Sequence, residues 1–300
     1  MNNLGNGLML ALAGALLLTP DTLLMRLSGL DGGAMLAWRA CLSGLVFLSI
    51  GLIARFREEK ENRARVASFG FWSLVICQIG NASFFAFGIA LAPVAVVLLA
   101  VATVPVIAAL LGYFLLGELA DRRVWATIAL VFSGILMSVV GDIERGMNID
   151  FETLLGACCG LAVAVSLAFN FVIIRKNKTV PFELAIRLGA LIAGCTAFYL
   201  WPAAWQVRGA SLIYISVTGL IILPVSFFLL SKASRLTSAA NVSMIMLLET
   251  VLGPLWVWLG IKEALSPLTL FGGVLVVGAL GFFSTDKQIC PPLSGQANNS

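Results

Sequence analysis

The stretch at 237–260, TSAANVSMIMLLETVLGPLWVWLG, limits the chain more than any other feature. It is apolar and long enough to cross a bilayer core, which takes about 20 helical residues. Yet a carboxylate, Glu249, sits near its middle. In hydrocarbon only helices and closed barrels satisfy their own backbone hydrogen bonds. An acid at that depth must face protein or water, and such acids mark ion or substrate paths. Pro254 cannot donate to the carbonyl of Thr250, which leaves a backbone acceptor one residue from Glu249. A break in this helix is therefore expected at Gly253 and Pro254.

The rest of the chain repeats the pattern. Apolar runs lie near 4–24, 33–54, 67–90, 93–116, 124–141, 153–174, 182–202, 210–231, 237–260 and 267–284. Hydrophobic residues make up 60% of the chain and charged residues 11%, against about 45–50% and about 25% in soluble domains. The expected fold is an all-α membrane protein of ten transmembrane helices. The first run lacks a basic leader and is too long for a signal peptide, so it is read as a retained helix. Residues 285–300 are polar and proline-containing, and are read as a disordered cytoplasmic tail.

Orientation follows from the basic residues, which favour cytoplasmic loops. With the N-terminus inside, the inner loops carry Arg55, Arg57, Lys60, Arg63, Arg65, Arg122, Arg123, Arg175, Lys176, Lys178, Lys232, Arg235 and Lys287. The outer loops carry only Arg26, Arg145, Arg208 and Lys262. Both termini are therefore expected in the cytoplasm. The net charge of +4 expresses this loop bias and implies no nucleic-acid partner.

The two halves of the chain resemble each other. Glu118 aligns with Glu263 at an offset of 145, which sets Val104-Pro105 opposite Glu249-Thr250. Leu-Ala-x-Arg ends at Arg39 and again at Arg187, offset 148. Ser-Phe-Phe occurs at 83–85 and 226–228, offset 143, and Asp21…Arg26 matches Asn170…Arg175, offset 149. These matches keep the same order and divide the chain into 1–145, 146–284 and the tail. Five spans per repeat is an odd number, so the second copy enters the membrane inverted. Inverted repeats are a transporter architecture, with the substrate near the midplane and the halves rocking around it.

At these residues the chain resembles the drug/metabolite transporter superfamily, specifically its EamA-type members. The carrying motifs are Pro105…Gly117-Glu118…Trp125…Gly134 and Glu249…Glu263…Pro267…Gly272. The resemblance runs to about residue 284. Leu18 and Leu167 stand where the family has tryptophan, so no cavity tryptophan is carried over to them. Thr250 stands where the second-half proline is expected, with the proline at 254, and Lys262 replaces a glycine. The resemblance implies a bacterial inner-membrane exporter of amino acids or other small metabolites, with the aromatic amino acid exporters of the YddG type as the nearest comparison. Nucleosides, amines or drugs are the alternative cargo. No cofactor or metal is implied; the partners are a small-molecule substrate and the lipid bilayer, and the oligomeric state is left open, a monomer being compatible.

Other function classes fit less well. The chain has no histidine, which removes Ser/His/Asp triads and His-ligated metals. There is no GxxxxGK[ST] loop to bind ATP phosphates. An aspartyl enzyme needs two acids facing each other, and Asp21 and Glu249 fall at different depths on their spans. A channel needs a pore-lining polar ring, which the scattered polar residues do not suggest. The cysteines lack metal-ligand spacing and are read as small packing residues.

Glu249 is the leading candidate, as ligand for a substrate amine, as proton carrier, or as both. A structural hydrogen bond is its bland reading. Asp21 and Arg39 form either a structural pair or a clamp for a substrate carboxylate. Gln78, Asn81 and Phe85 at i, i+3 and i+7 give the third span a polar face with an aromatic partner, a candidate cavity wall. Asn170, Asn241 and Ser243 are further polar groups at depth, either substrate contacts or interhelical glue. Trp38 is a candidate for stacking on substrate. Pro20, Pro105, Pro224, Gly253 and Pro254 are the candidate helix breaks. Gly156-x-x-x-Gly160 predicts only a close helix contact.

Overall fold

Backbone hydrogen bonds in hydrocarbon must close within each segment, and all described regular structure is helical. The computed structural model describes residues 2–54, 68–117, 151–177 and 179–261, with scattered positions at 122–137 and 271–278. Eight helices among the described residues are long and apolar enough to cross a membrane. The fifth and tenth predicted spans, the basic loop at 55–65, Glu118, Glu263 and the tail at 285–300 lie wholly or largely outside the described residues.

Span 1 consists of α1 (Asn2–Leu18) and α2 (Asp21–Ser28). Spans 2 and 3 are α3 (Gly32–Ala54) and α4 (Phe69–Leu91). Span 4 is divided into α5 (Val94–Val101) and α6 (Val104–Leu116). Spans 6 and 7 are α7 (Phe151–Lys176) and α8 (Phe182–Leu200). Span 8 is α9 (Ala210–Val217) and α10 (Leu223–Leu236), joined by a π turn at Thr218–Ile222. Span 9 is α11 (Ala239–Met246) followed by α12 (Leu248–Ile261).

Spans 1, 4 and 9 are each interrupted by a tightened turn. At the joints Pro20 has ψ −4°, Thr103 ψ −8° and Leu247 ψ −13°, against about −42° in a regular α-helix. Pro20 precedes the first residue of α2, and Pro105 lies in the first turn of α6. A missing N–H costs least at those places. The hydroxyls of Thr19 and Thr103 donate to the carbonyls of Leu16 and Ala100 at 2.8 and 2.7 Å. Each adds to the three-residue bond that the same threonine's N–H makes to that carbonyl. In span 9 the N–H of Leu247 bonds three residues back to Met244 at 3.1 Å.

This corrects one expectation. Gly253 and Pro254 do not break span 9, because α12 runs through them. A Cβ on Gly253 would lie 3.0 Å from Leu98 and 3.1 Å from the Thr22 hydroxyl. Gly253 therefore permits close approach of α12 to α5 and α2 and is no hinge. The actual joint at Leu247 lies 145 residues after Ala102, the residue that caps α5. The interruption keeps its repeat-equivalent place even where the proline is displaced. Pro224 does mark an irregularity: it falls in the first turn of α10, just after the π turn.

Packing pairs the spans in a regular way. Span 2 packs most closely on span 7, span 3 on span 6 and span 1 on span 8, while span 4 packs on span 6 and on span 9, and span 9 also on span 1. Exchanging the first five spans for the second five leaves these pairings unchanged. Small residues set the closest approaches. A Cβ on Gly156 would fall 2.2 Å from that of Ala92, and one on Gly160 would fall 2.7 Å from the Val97 carbonyl. The Gly156-x-x-x-Gly160 motif is thus the contact of span 6 with spans 3 and 4. Where spans 2 and 7 cross, a Cβ on Gly194 would lie 2.5 Å from the backbone nitrogen of Cys41, with the Cys41 and Cys195 sulfurs 3.9 Å apart.

Gly194→Ala should therefore destabilise the protein by about 1–3 kcal/mol, the usual range for overpacking. Gly112→Ala, whose new methyl meets nothing within 4 Å, should be neutral or stabilising by up to about 1 kcal/mol. Thermal unfolding of the two variants in mild detergent reads the difference, and equal effects would remove the span 2–span 7 crossing as a tight contact.

Candidate functional site

Two of the three joints carry a carboxylate. Asp21 is the first residue of α2 and Glu249 the second residue of α12. Unpaired N–H groups and the helix dipole favour negative charge at such ends. Both acids are buried, Asp21 at 0% and Glu249 at 3% exposure, as is Arg39 at 6%. Arg39 reaches Asp21 in a buried salt bridge, and its guanidinium stands over the Phe85 ring at 5.1 Å from the centroid. Asp21 and Arg39 are in turn the charged neighbours of Glu249. Span 1 continues beyond its predicted end at residue 24 to Ser28. This places Asp21 about one turn deeper than expected, and the two acids are neighbours.

Two acids and one base form an unbalanced group. With every member ionised it carries one excess negative charge, and a cation or a proton restores balance. Among the described residues, Glu249 Oε1, Asp21 Oδ1 and Arg39 Nε have no hydrogen-bond partner, nor do Thr22 Oγ1 and Gln78 Oε1. A buried polar atom without a partner costs about 1–3 kcal/mol.

Arg39 also lines a small cavity with Leu36, Ala40, Ser43, Gln78, Asn81, Ala82, Ile186, Ala190, Leu223 and Phe227. Its volume is about 20 Å³, room for a single water. The predicted polar face of span 3 is real: Gln78 and Asn81 look into this cavity, and Phe85 supports Arg39 one turn further along α4. Trp38 does not belong to the site. Successive helical residues point about 100° apart, and with Arg39 turned inward Trp38 faces outward. Its indole donates to the Ala204 carbonyl at 2.8 Å and meets Phe198 edge-on at 5.3 Å. It lines an open apolar groove of about 690 Å³ with Phe198, Tyr199 and Trp205.

Asn170, Asn241 and Ser243 are buried but are not brought to the cavity wall. Asn241 serves the start of α11: its side chain donates to the Thr237 hydroxyl at 3.1 Å and its N–H to Ser238 at 3.2 Å. Sequence reasoning missed Thr22, Ser43 and Phe227, and the bond that Trp256 makes. The Trp256 indole donates to the Thr19 hydroxyl at 2.9 Å and so ties α12 to the joint of span 1. Glu249, Gly253 and Trp256 fall at i, i+4 and i+7, one face of a helix. That spacing was the available signal, and the expectation of a break at Gly253 concealed it.

The sequence profile of the EamA-like transporter family matches residues 5–140 and 154–285. No curated protein sequence matches the chain. The fold is similar to that of a solved crystal structure of a protein 20% identical in sequence, with a TM-score of 0.75 over 97% of this chain and 99% of the other.

Removing one member of a buried ion pair leaves an uncompensated charge. Arg39→Gln should therefore destabilise the protein by about 3–5 kcal/mol, and Asp21→Asn combined with it should recover much of that loss. Chemical unfolding in detergent completes the double-mutant cycle. Additive effects would mean that the two residues are not coupled.

Proposed function

The chain belongs to the EamA-like transporter family, and from that premise we propose that it exports amino acids with aromatic or other hydrophobic side chains. It is a multi-pass membrane transporter of small molecules. The observation that carries the finer reading is the buried, partly unpartnered Glu249 beside the Asp21–Arg39 pair. A zwitterion offers a counterpart to the acid and to the base of this group. Its ammonium neutralises Glu249, and its carboxylate takes Arg39 in exchange for part of the contact with Asp21. Its side chain would occupy space opened beside Phe85 and Phe227. Because a zwitterion carries no net charge, the excess negative charge of the group is met by a proton on one of the two acids, which offers a route to proton coupling.

In this reading the repeats at 1–145 and 146–284 are related by an inverted two-fold. Secondary active transport proceeds by rocking one half against the other around a midplane site. The joints at Pro20, Thr103 and Leu247 give each moving span a point where its ladder is already interrupted. The excess of basic residues on one set of loops orients both termini to the cytoplasm of a bacterial inner membrane. The excess acid alone also suits an amine, so amine or nucleoside export is the second reading.

Counterflow in proteoliposomes, run against a panel of amino acids, amines and nucleosides, tests this. Glu249→Gln should slow amino acid exchange by about tenfold to a hundredfold, the effect of losing one charge-assisted contact. Wild-type rates in that variant would take Glu249 out of the site. Exchange of amines alone, indifferent to Arg39→Lys, would favour the second reading. Phe85→Ala should weaken exchange of phenylalanine-sized substrates more than that of alanine-sized ones. Equal losses would mean that Phe85 does not bound the substrate side chain.

A further inference from the structure

Two arginines outside the acid cluster occupy equivalent places in the two halves. Arg26 lies near the end of span 1 and Arg175 near the end of span 6, related by the same offset of 149 as Asp21 and Asn170. Each donates to a main-chain carbonyl. Arg26 Nη2 reaches the carbonyl of Ala92, the residue that caps α4, at 2.6 Å. Arg175 Nη1 reaches the carbonyl of Arg235, in the last turn of α10, at 3.3 Å. Ala92 and Arg235 are 143 residues apart, the offset that relates the Ser-Phe-Phe of span 3 to that of span 8. Donor and acceptor therefore both fall on repeat-equivalent positions, and one contact is made twice.

The two contacts lie at opposite ends of the bundle. A Cβ on Gly156, near the start of α7, would meet Ala92, whereas one on Gly70, near the start of α4, would meet Asn177 just beyond the end of α7. Spans 3 and 6 thus run antiparallel. The Arg26 contact closes the end where span 3 finishes, and the Arg175 contact closes the end where span 6 finishes. Each also stands over the site. Arg26 is five residues beyond Asp21 and Ala92 seven beyond Phe85, about 8 and 10 Å along their helices. Arg235 is eight residues beyond Phe227, which lines the cavity. With both contacts made, the space between them has room for a single water.

We propose that Arg26–Ala92 and Arg175–Arg235 are a pair of symmetry-related latches, one for each face of the membrane. Releasing one parts spans 1 and 3, releasing the other parts spans 6 and 8, and the site opens to the face whose latch is undone. This rests on the alternating-access reading above. A carbonyl acceptor suits the role, because the bond is charge-assisted yet leaves no bare carboxylate when it breaks. The Arg175 end is held more firmly, since Arg235 itself donates to the Val180 carbonyl at 2.5 Å and stands over the Phe182 ring at 4.4 Å.

The test uses the full chain in oriented proteoliposomes, with the native cysteines replaced and Ser43→Cys as reporter in the cavity wall. A membrane-impermeant maleimide is applied to one face at a time. Arg26→Gln should raise labelling from the Arg26 face by about tenfold, the shift expected for one lost charge-assisted bond, and lower it from the other face. Arg175→Gln should do the reverse, and the double variant should return to the parent's ratio. If the glutamine variants fold poorly, Arg26→Lys and Arg175→Lys should shift the ratio in the same opposite directions by smaller factors. Labelling that matches the parent in every variant, or that shifts towards the same face in both single variants, would overturn the latches. Counterflow in the same vesicles separates the two claims. An active parent with unresponsive variants removes the latches alone, while a parent that exchanges no substrate of the panel removes the transport reading whatever the labelling.

Discussion

Arg39 touches Asp21, stands over Phe85, neighbours Glu249 and forms part of the wall shared with Gln78 and Asn81. One guanidinium thus joins spans 1, 2, 3 and 9 at mid-depth. It can do so because it is always charged, presents several donors in a plane and stacks on an aromatic ring. Burying it requires an anion, and Asp21 supplies one at the start of a half-helix, where the dipole already favours negative charge. The second acid then has no basic partner of its own. That imbalance between two carboxylates and one arginine separates this cluster from a structural ion pair.

The joints explain how acids come to lie at helix starts inside a membrane. A continuous helix leaves no free N–H at its centre. Spans 1 and 9 each tighten for one turn and begin again, and Asp21 and Glu249 fall in those new first turns. Threonine hydroxyls at 19 and 103 add a second bond to the carbonyls of the tightened turns at two of the joints. Trp256 bonds to the first of these and so fixes α12 against span 1. Glycine does a different job here: Gly253, Gly156, Gly160 and Gly194 set how closely the helices approach, and the charged groups meet only because the backbones do.

The membrane character, the helical class and the identity of most spans were legible in the residues. Bilayer thickness sets span length, and hydrocarbon leaves few ways to satisfy a backbone. That Glu249 and Arg39 would be turned into the protein was legible for the same reason, since a charge is costly in hydrocarbon. The polar face of span 3 followed from helical periodicity, and Gln78, Asn81 and Phe85 do face the site.

What the residues left open was decided by approach between helices distant in sequence. Proline at 254 marks a missing N–H, but whether a helix bends there depends on what packs beside it. With Gly253 set against Thr22 and Leu98, α12 stays straight and the joint falls at Leu247. Trp38 and Arg39 are adjacent in the chain, and only the contact with Asp21 determined which of them turns inward. The meeting of Asp21 with Glu249 required both a span longer than its hydropathy boundary and the packing of α12 on α2. Composition and periodicity are local properties and specify the spans, whereas a site assembled from four of them is a property of their packing.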